Sequence, residues 1–289
     1  MPSNTINSKE EKLKQILTDL KSIVVAFSGG VDSSFLAAFC HKLMPGKVLA
    51  VTARSESFPE RELKAAESLA KKIGLKHIVI DSEELEVPGF SANPPNRCYL
   101  CKHELFTKIK QVAQKEGFQA VVEASNADDV GDYRPGMVAL AELGILSPLR
   151  LANITKQEIR LLSKEMGLNT WDKPSFACLA SRFPYGELIT SERLKKIDQA
   201  ESFLLSLGLK QVRVRFHDQG GLARIEADEE GLEIMMLKEN REAIAKRFTE
   251  FGFLYTTIDL LGYRSGSMNL QLPMATKAAH QEQVAKATA

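Results

Sequence analysis

Short apolar runs rich in β-branched residues alternate with stretches of helical period through the first half of this chain. Residues 23–27 (Ile23, Val24, Val25, Ala26, Phe27) form one such run, whose length and composition predict a buried strand. Phe35, Leu36, Phe39 and Cys40 then recur at helical spacing. The rhythm continues with a predicted strand over 48–51, a helix over 60–73, a strand over 78–80, a helix over 102–116 and a strand over 120–122. Continuous apolar strands between amphipathic helices predict an α/β fold. Its parallel sheet is covered on both faces and binds ligands at the carboxyl ends of the strands. Residues 91–96 and the stretch opening at Asp172-Lys173-Pro174 read as loops.

The pattern changes near residue 190. A helix over 191–207 leads to Val212-Arg213-Val214-Arg215-Phe216, which alternates apolar with basic residues in strand period. A second strand over 222–227 follows across Gly220-Gly221, which predicts a hairpin. A helix over 232–248 and a strand over 253–258 complete an α-β-β-α-β unit. The predicted organisation is a parallel-sheet domain over 1–185, a small α+β domain over 190–271 and a disordered tail over 272–289, rich in Ala, Gln and Lys.

Composition narrows the function classes. The 289 residues carry 38 basic and 37 acidic side chains, a net charge of +1, so no global field recruits nucleic acid or an acidic membrane. The chain lacks an eighteen-residue apolar run and its first residues lack a signal-peptide core, which predicts a cytoplasmic protein. Four cysteines in a chain of this size do not suggest a disulfide framework. Cys40 falls on the apolar face of its helix and reads as a small core residue.

At the first strand–helix junction stands Ser28-Gly29-Gly30-Val31-Asp32-Ser33-Ser34. A glycine pair there lets backbone N–H groups approach an anion, and the following helix adds unpaired donors and its positive dipole end. No Gly-Lys-Ser/Thr follows, so this is not a Walker loop. The pattern resembles the SGGxDS loop of the PP-loop ATP pyrophosphatases, which cleave ATP between the α- and β-phosphates. That resemblance places Asp32 near Mg²⁺. Beyond the fourth strand, Asn126, Asp128, Asp129, Asp132 and Arg134 are candidates to hold Mg²⁺ and to meet developing charge. The plainer alternative is an Asn cap with an acidic first turn.

Cys98 and Cys101 form a C-x-x-C where a helix begins, and Cys178 lies far along the chain in PSFACLASR. Three thiolates with one open position can hold a 4Fe-4S cluster, whose unique iron stays free for sulfide. Zinc usually takes a fourth ligand, and neither a second C-x-x-C nor a His pair offers one. A redox dithiol is a further reading, since Arg97, Lys102 and a helix N-terminus favour the thiolate. The bland alternative is two buried, inert cysteines, against which the Asn-Pro-Pro-Asn-Arg approach predicts an exposed loop ahead of them.

Taken as a series, SGGVDSS, RCYLCK, EASNADDVGDYRPG, KPSFACLASRFPYG, VRVRFHD, LARIE and GYRSGSMN resemble the LarE family over nearly the whole chain to about residue 271. LarE proteins are ATP-dependent sulfur transferases in the biosynthesis of the nickel-pincer nucleotide cofactor. The resemblance implies that a carboxylate of pyridinium-3,5-biscarboxylic acid mononucleotide attacks the α-phosphorus of ATP. Sulfur then displaces AMP from the acyl adenylate to give a thiocarboxylate, and the second carboxylate is treated likewise. Some members sacrifice the cysteine that matches Cys178, whereas those with the extra C-x-x-C use cluster-bound sulfide. Cys98 and Cys101 here favour the cluster route. The resemblance also implies a trimer or hexamer, a sulfur source that the sequence does not identify, and a nickel-insertion enzyme downstream. Arg134, Ser181, Arg182, Arg213, Arg215 and Arg264 are candidates for the substrate and its phosphate. Arg213 and Arg215, two apart on a strand, share a face, and Glu201 and Glu226 add carboxylates near the sulfur site. For these side chains the alternative is a surface salt bridge.

Three other classes compete. A tRNA thiolase can pair a PP-loop with a three-cysteine cluster, but it needs an extended basic surface that a net charge of +1 does not suggest. An ammonia-using synthetase has no use for Cys98, Cys101 and Cys178. A non-catalytic carrier would release no pyrophosphate.

Overall fold

The alternation that separates Ile23 and Val25 from Val24 decides how the first half packs. In the computed structural model, which describes residues 3–129 and 133–278, Ile23 and Val25 enter one core and Val24 enters another on the opposite face. The chain begins with α1 (Ser3–Asp19), β1 (Ile23–Ala26), α2 (Val31–Leu43), β2 (Val48–Arg54), α3 (Glu60–Lys72) and β3 (Lys76–Asp81). It continues with α4 (Arg97–Lys115), β4 (Ala120–Val122), α5 (Gly136–Glu142), α6 (Pro148–Leu151) and α7 (Lys156–Glu165). The four strands are parallel in the order β3-β2-β1-β4. One core packs Leu13 and Leu17 of α1, Phe35, Leu36 and Cys40 of α2, and Ile159 of α7 beneath the sheet. The other sets Phe106 and Ile109 of α4 and Leu140 of α5 against Val24, Leu49 and Val121. The α/β class predicted from the apolar runs is therefore the observed one.

The strand order reverses beside β1, whose neighbours β2 and β4 lie on opposite sides. Ligands of open parallel sheets bind in such a crevice. Both the loop after β1 and the segment after β4 open into it.

Two local expectations differ from the structure. α4 starts at Arg97 rather than 102, so Cys98 and Cys101 lie within its first turns. The approach to it is exposed only in part: Pro95 and Asn96 face solvent as expected, whereas Asn93 and Arg97 are buried. Arg97 donates to the Asn93 side chain, which in turn donates to the Pro184 carbonyl at 2.6 Å, so polar partners inside the protein replace water.

The second unit comprises α8 (Ser191–Ser206), β5 (Val212–His217), β6 (Leu222–Ala227), α9 (Glu229–Met236), α10 (Lys238–Glu250) and β7 (Tyr255–Ile258). β5 and β6 form the predicted antiparallel pair, and β7 joins β6 in parallel. The helix expected over 232–248 is two helices, α9 and α10, that meet at Leu237. There the backbone turns extended (φ −59°, ψ 137°). Asn240 donates to the Ile234 carbonyl at 2.8 Å and so satisfies an acceptor near the break. This unit's core also takes Phe90, Leu179, Ala180 and Phe183 from the chain ahead of residue 190. Of the tail expected over 272–289, Leu272 is buried and residues 279–289 lie outside the described residues. Among the described residues no helix is long and apolar enough to cross a membrane.

The two halves meet through a buried ion pair. Arg182 is fully buried in the short turn 179–182 and grips Glu201 of α8 through Nε (2.8 Å) and Nη2 (2.9 Å). Val214 N–H donates to the same carboxylate at 3.0 Å. Burial alone would raise the Glu201 pKa, but the charge and hydrogen bonds of Arg182 hold it below the ordinary carboxylate value of 4.5. The depressed value means that the pair's contribution is complete above pH 4.5 and is lost as pH falls through the folded-state pKa. Arg182→Ala is expected to cost about 3–5 kcal/mol in urea unfolding at pH 7, since it strands a buried carboxylate. Arg182→Met with Glu201→Leu should recover most of that loss. Equal midpoints for Arg182→Ala and wild type would contradict this.

Candidate functional site

The loop after β1 has the shape of an anion cradle. Gly29 has φ +67°, and a Cβ placed on it would lie 2.9 Å from the Ala66 Cβ of α3, so only glycine lets the loop pack there. Gly30 caps α2 in an extended conformation without a side-chain hydrogen bond, leaving the first amides of the helix to a ligand. Ser28 and Ser33 brace the turn: their hydroxyls are 3.0 Å apart, and Ser33 Oγ also accepts from Ser28 N–H at 3.2 Å. Ser34 is fully buried and its hydroxyl lacks a hydrogen-bond partner.

Asp32, on the first turn of α2, pairs through Oδ2 with Lys156 Nζ at 2.6 Å. Its Oδ1 is buried and unpartnered. Burial raises its pKa, and Lys156 opposes the rise. A buried carboxylate oxygen without a donor fits a hard cation such as Mg²⁺. Lys156 was not among the residues that the sequence singled out. Thr155 and Glu158 form a capping box that fixes the start of α7 and so aims Lys156 at the loop. The T-x-x-E spacing predicts that helix start, but nothing local says which loop it faces.

The segment after β4 realises part of the plainer reading. Asn126 Oδ1 accepts from Asp128 N–H at 2.9 Å, and Asp129 Oδ2 accepts from Asn126 N–H at 2.9 Å. Asp128 Oδ2 accepts from Lys156 N–H at 2.8 Å, which joins this turn to α7. Asp129 also pairs with Arg134 at 2.9 Å. Asp132 lies outside the described residues. Lys173, a second cation missed in the sequence, donates to the Gly29 carbonyl at 3.0 Å and to Glu62 at 2.7 Å.

Beside the second core, Cys98, Cys101 and Cys178 come together. Burial pushes the Cys101 thiol well up, and the charges of Cys178, Glu84 and Cys98 add to the rise. Burial also raises Cys178, with Arg97 opposing and Cys98 reinforcing the shift. Cys98 thus acts on both of these thiols and Cys178 on Cys101, although 77 positions of chain separate Cys101 from Cys178. Arg97 Nη2 stands 4.0 Å from Cys98 Sγ. Among the described residues no three His, Cys, Asp or Glu side chains are grouped to hold one metal ion. A 4Fe-4S cluster spreads its thiolates over different irons and so asks for a wider spacing than one metal ion does. Cys40 is fully buried in the sheet core, as its apolar face predicts.

The arginines form a buried network rather than a surface one. Arg213 and Arg215 share a face of β5, and both are buried. Arg213 donates to the carbonyls of Val212 (2.7 Å) and Ser175. Burial and the neighbouring Arg182 press its pKa down to about 10. Arg215 reaches Glu226 at 2.5 Å, the Ser181 carbonyl at 3.0 Å and Ser267 Oγ at 3.0 Å. Ser181 Oγ donates to the Cys178 carbonyl at 2.8 Å. Arg264 lies at the exposed edge of this network, 4.0 Å from Asp259, which pairs with Arg224 and through it with Glu226.

Replacing Lys156 by Gln should weaken binding of a non-hydrolysable ATP analogue about tenfold, as expected for losing a charge-assisted contact. Calorimetry checks this, and the same variant combined with Asp32→Asn should lose less than the sum of the two single effects. Additive losses would show that the two side chains act separately.

The NAD synthase family matches residues 5–93, the stretch that holds the phosphate loop. An uncharacterized protein of Synechocystis is 42% identical over 264 residues, covering 91% of this chain and 98% of that protein. The pyridinium-3,5-bisthiocarboxylic acid mononucleotide synthase of Lactiplantibacillus plantarum is 35% identical over 275 residues, 95% of this chain and 98% of the relative. A glutamine-hydrolyzing GMP synthase of Pyrobaculum aerophilum is 28% identical over 182 residues, 55% of this chain and 36% of its own length.

Proposed function

The chain belongs to the LarE family, that of the pyridinium-3,5-bisthiocarboxylic acid mononucleotide synthase, and from that membership we propose that it is an ATP-dependent sulfur transferase acting on the same pyridinium dicarboxylate nucleotide. The observation that carries this reading is the pairing of an open phosphate cradle with three convergent cysteines in one chain that aligns end to end with that synthase.

In the first half-reaction a substrate carboxylate oxygen attacks the α-phosphorus of ATP, and the bond to the β-phosphate oxygen breaks. Pyrophosphate leaves and an acyl adenylate remains. The amides of 31–33 and Lys156 meet the charge that develops on the departing pyrophosphate. Asp32, with Asp129 beside it, would hold Mg²⁺ there through the oxygen that has no protein donor. In the second half-reaction anionic sulfur attacks the carbonyl carbon and AMP departs with the bonding pair, which leaves a thiocarboxylate. Arg182 anchors the carbonyls of Ala177 (2.7 Å) and Cys178 (3.1 Å) and so fixes the donor segment. Arg134, Arg215 and Arg264 are the proposed contacts for substrate anions, with Arg213, Glu201 and Glu226 holding the framework around them.

Cys98, Cys101 and Cys178 would hold a 4Fe-4S cluster, which when bound supplies an iron site for exogenous sulfide. Arg97 lies beside these sulfurs without a carboxylate within ion-pair distance among the described residues, and offsets their negative charge. A second reading keeps the pathway and consumes Cys178 itself; the Arg97 and Arg182 charges that oppose its raised pKa favour a nucleophilic sulfur at that position too.

Anaerobic turnover of cluster-reconstituted protein with the nucleotide, ATP, Mg²⁺ and sulfide separates the two. The expected result is several thiolated products per chain with Cys178 intact by peptide mass spectrometry. Cys98→Ser or Cys101→Ser should then reduce the yield to one sulfur per chain or fewer. Dehydroalanine at residue 178 with one sulfur per chain would overturn the cluster route. Retained tRNA at low salt, with no pyrophosphate release on the nucleotide, would overturn the substrate.

A further inference from the structure

The stretch from Trp171 to Arg182, which carries Cys178, is loop for most of its length, yet it is fastened from four directions. Arg160 of α7 donates to the carbonyls of Trp171 (2.6 Å) and Lys173 (2.9 Å). Leu179 N–H donates to the Ser57 carbonyl at 2.8 Å, ahead of α3. Arg213 and Arg182 take the carbonyls of Ser175, Ala177 and Cys178 from the side of the second core. The fourth fastening is Lys173, whose ammonium spans the Gly29 carbonyl of the phosphate loop and the Glu62 carboxylate of α3.

Lys173 differs from the other three in what lies beside it. Gly29 belongs to the turn that opens the first amides of α2 to a ligand, so a triphosphate seated there sets several negative charges near this ammonium. Phosphate oxygens then compete with a neutral carbonyl for its protons, and charge-assisted contacts win such exchanges. Cys178 lies five positions beyond Lys173, a run that spans at most about 17 Å when fully extended. Pro174, Ser175 and Ala177 within that run are exposed, while Phe176 meets Phe58 edge-on and the carbonyls of Ser175 and Ala177 are held by Arg213 and Arg182, so a shift of Lys173 reaches the cysteine through a run that is tied at several points.

We propose that Lys173 is a positioning residue through which occupancy of the phosphate loop sets the placement of Cys178. The proposal rests on the reading of residues 28–34 as a nucleotide site. Its consequence is order: the sulfur-bearing segment takes its working position only when nucleotide is present, which keeps the sulfur from acting before a carboxylate can be activated.

Hydrogen–deuterium exchange of the peptide covering 171–182, with and without saturating α,β-methylene-ATP and Mg²⁺, tests this on the full chain. Nucleotide should change exchange in this peptide about fivefold or more in the wild type, the lower range of ordinary site-to-site coupling. Lys173→Gln should abolish that dependence and Lys173→Arg should restore it. Arg160→Gln should raise exchange in both states while leaving the ratio between them. Bound nucleotide with unchanged exchange in the wild type would overturn the coupling and leave the nucleotide site standing. So would a Lys173→Gln protein that loosens equally in both states and keeps the wild-type ratio. Failure of the analogue to bind the wild type would overturn both.

Discussion

Burying a guanidinium costs several kcal/mol unless its donors are nearly all used, and Arg182 uses them in a way that organises the protein. Two donors go to Glu201, and a third serves the carbonyls of Ala177 and Cys178 and the hydroxyl of Ser181. Glu201 in turn receives the Val214 amide. One side chain therefore joins the turn that follows Cys178, the long helix α8 and the first strand of the second sheet. The second core closes around that junction with Leu179 and Phe183 on the near side and Phe216 on the far side. The segment that carries Cys178 and the second unit are not separable modules; the charge pair that stabilises one places the other.

The sheet and the phosphate loop were legible because their signals are local. β-branched runs, a glycine pair and a serine-rich helix start suffice to read β1, residues 28–30 and α2. Arg213 and Arg215 were correctly placed on one face because strand period is also local. Their burial was not legible, since it depends on Glu226 from β6 and on carbonyls from the stretch 175–181. Lys156 and Lys173 were missed for the same reason. Each is an ordinary lysine in the sequence, and each gains meaning from a loop more than 120 residues away, at Asp32 and Gly29. The single helix expected over 232–248 failed differently. Helical period runs on through Leu237, and the break there is set by backbone geometry that side-chain pattern does not encode.

Charge is distributed around the site by type of anion. The two cations that bond directly to the phosphate loop are lysines, compact ammoniums that can exchange partners: Lys156 with Asp32, and Lys173 with Gly29 and Glu62. Around the sulfurs and the second unit they are arginines, planar and buried, each committed to several fixed acceptors. A nucleotide that arrives and leaves each cycle suits the first kind of partner. A sulfur that must stay in place suits the second.

That division bears on the chemistry itself. An acyl adenylate is reactive toward water, so the sulfur has to meet it where it forms rather than after diffusion. Joining the two sites by rigid packing alone would fix one distance for both half-reactions, although the first needs room for ATP and the second needs sulfur at the carbonyl. A short exposed run between Lys173 and Cys178, tied to the loop at one end and to buried arginines at the other, meets both demands. The arginine end limits how far the cysteine can wander, and the lysine end is the fastening that touches the loop proposed to hold the pyrophosphate.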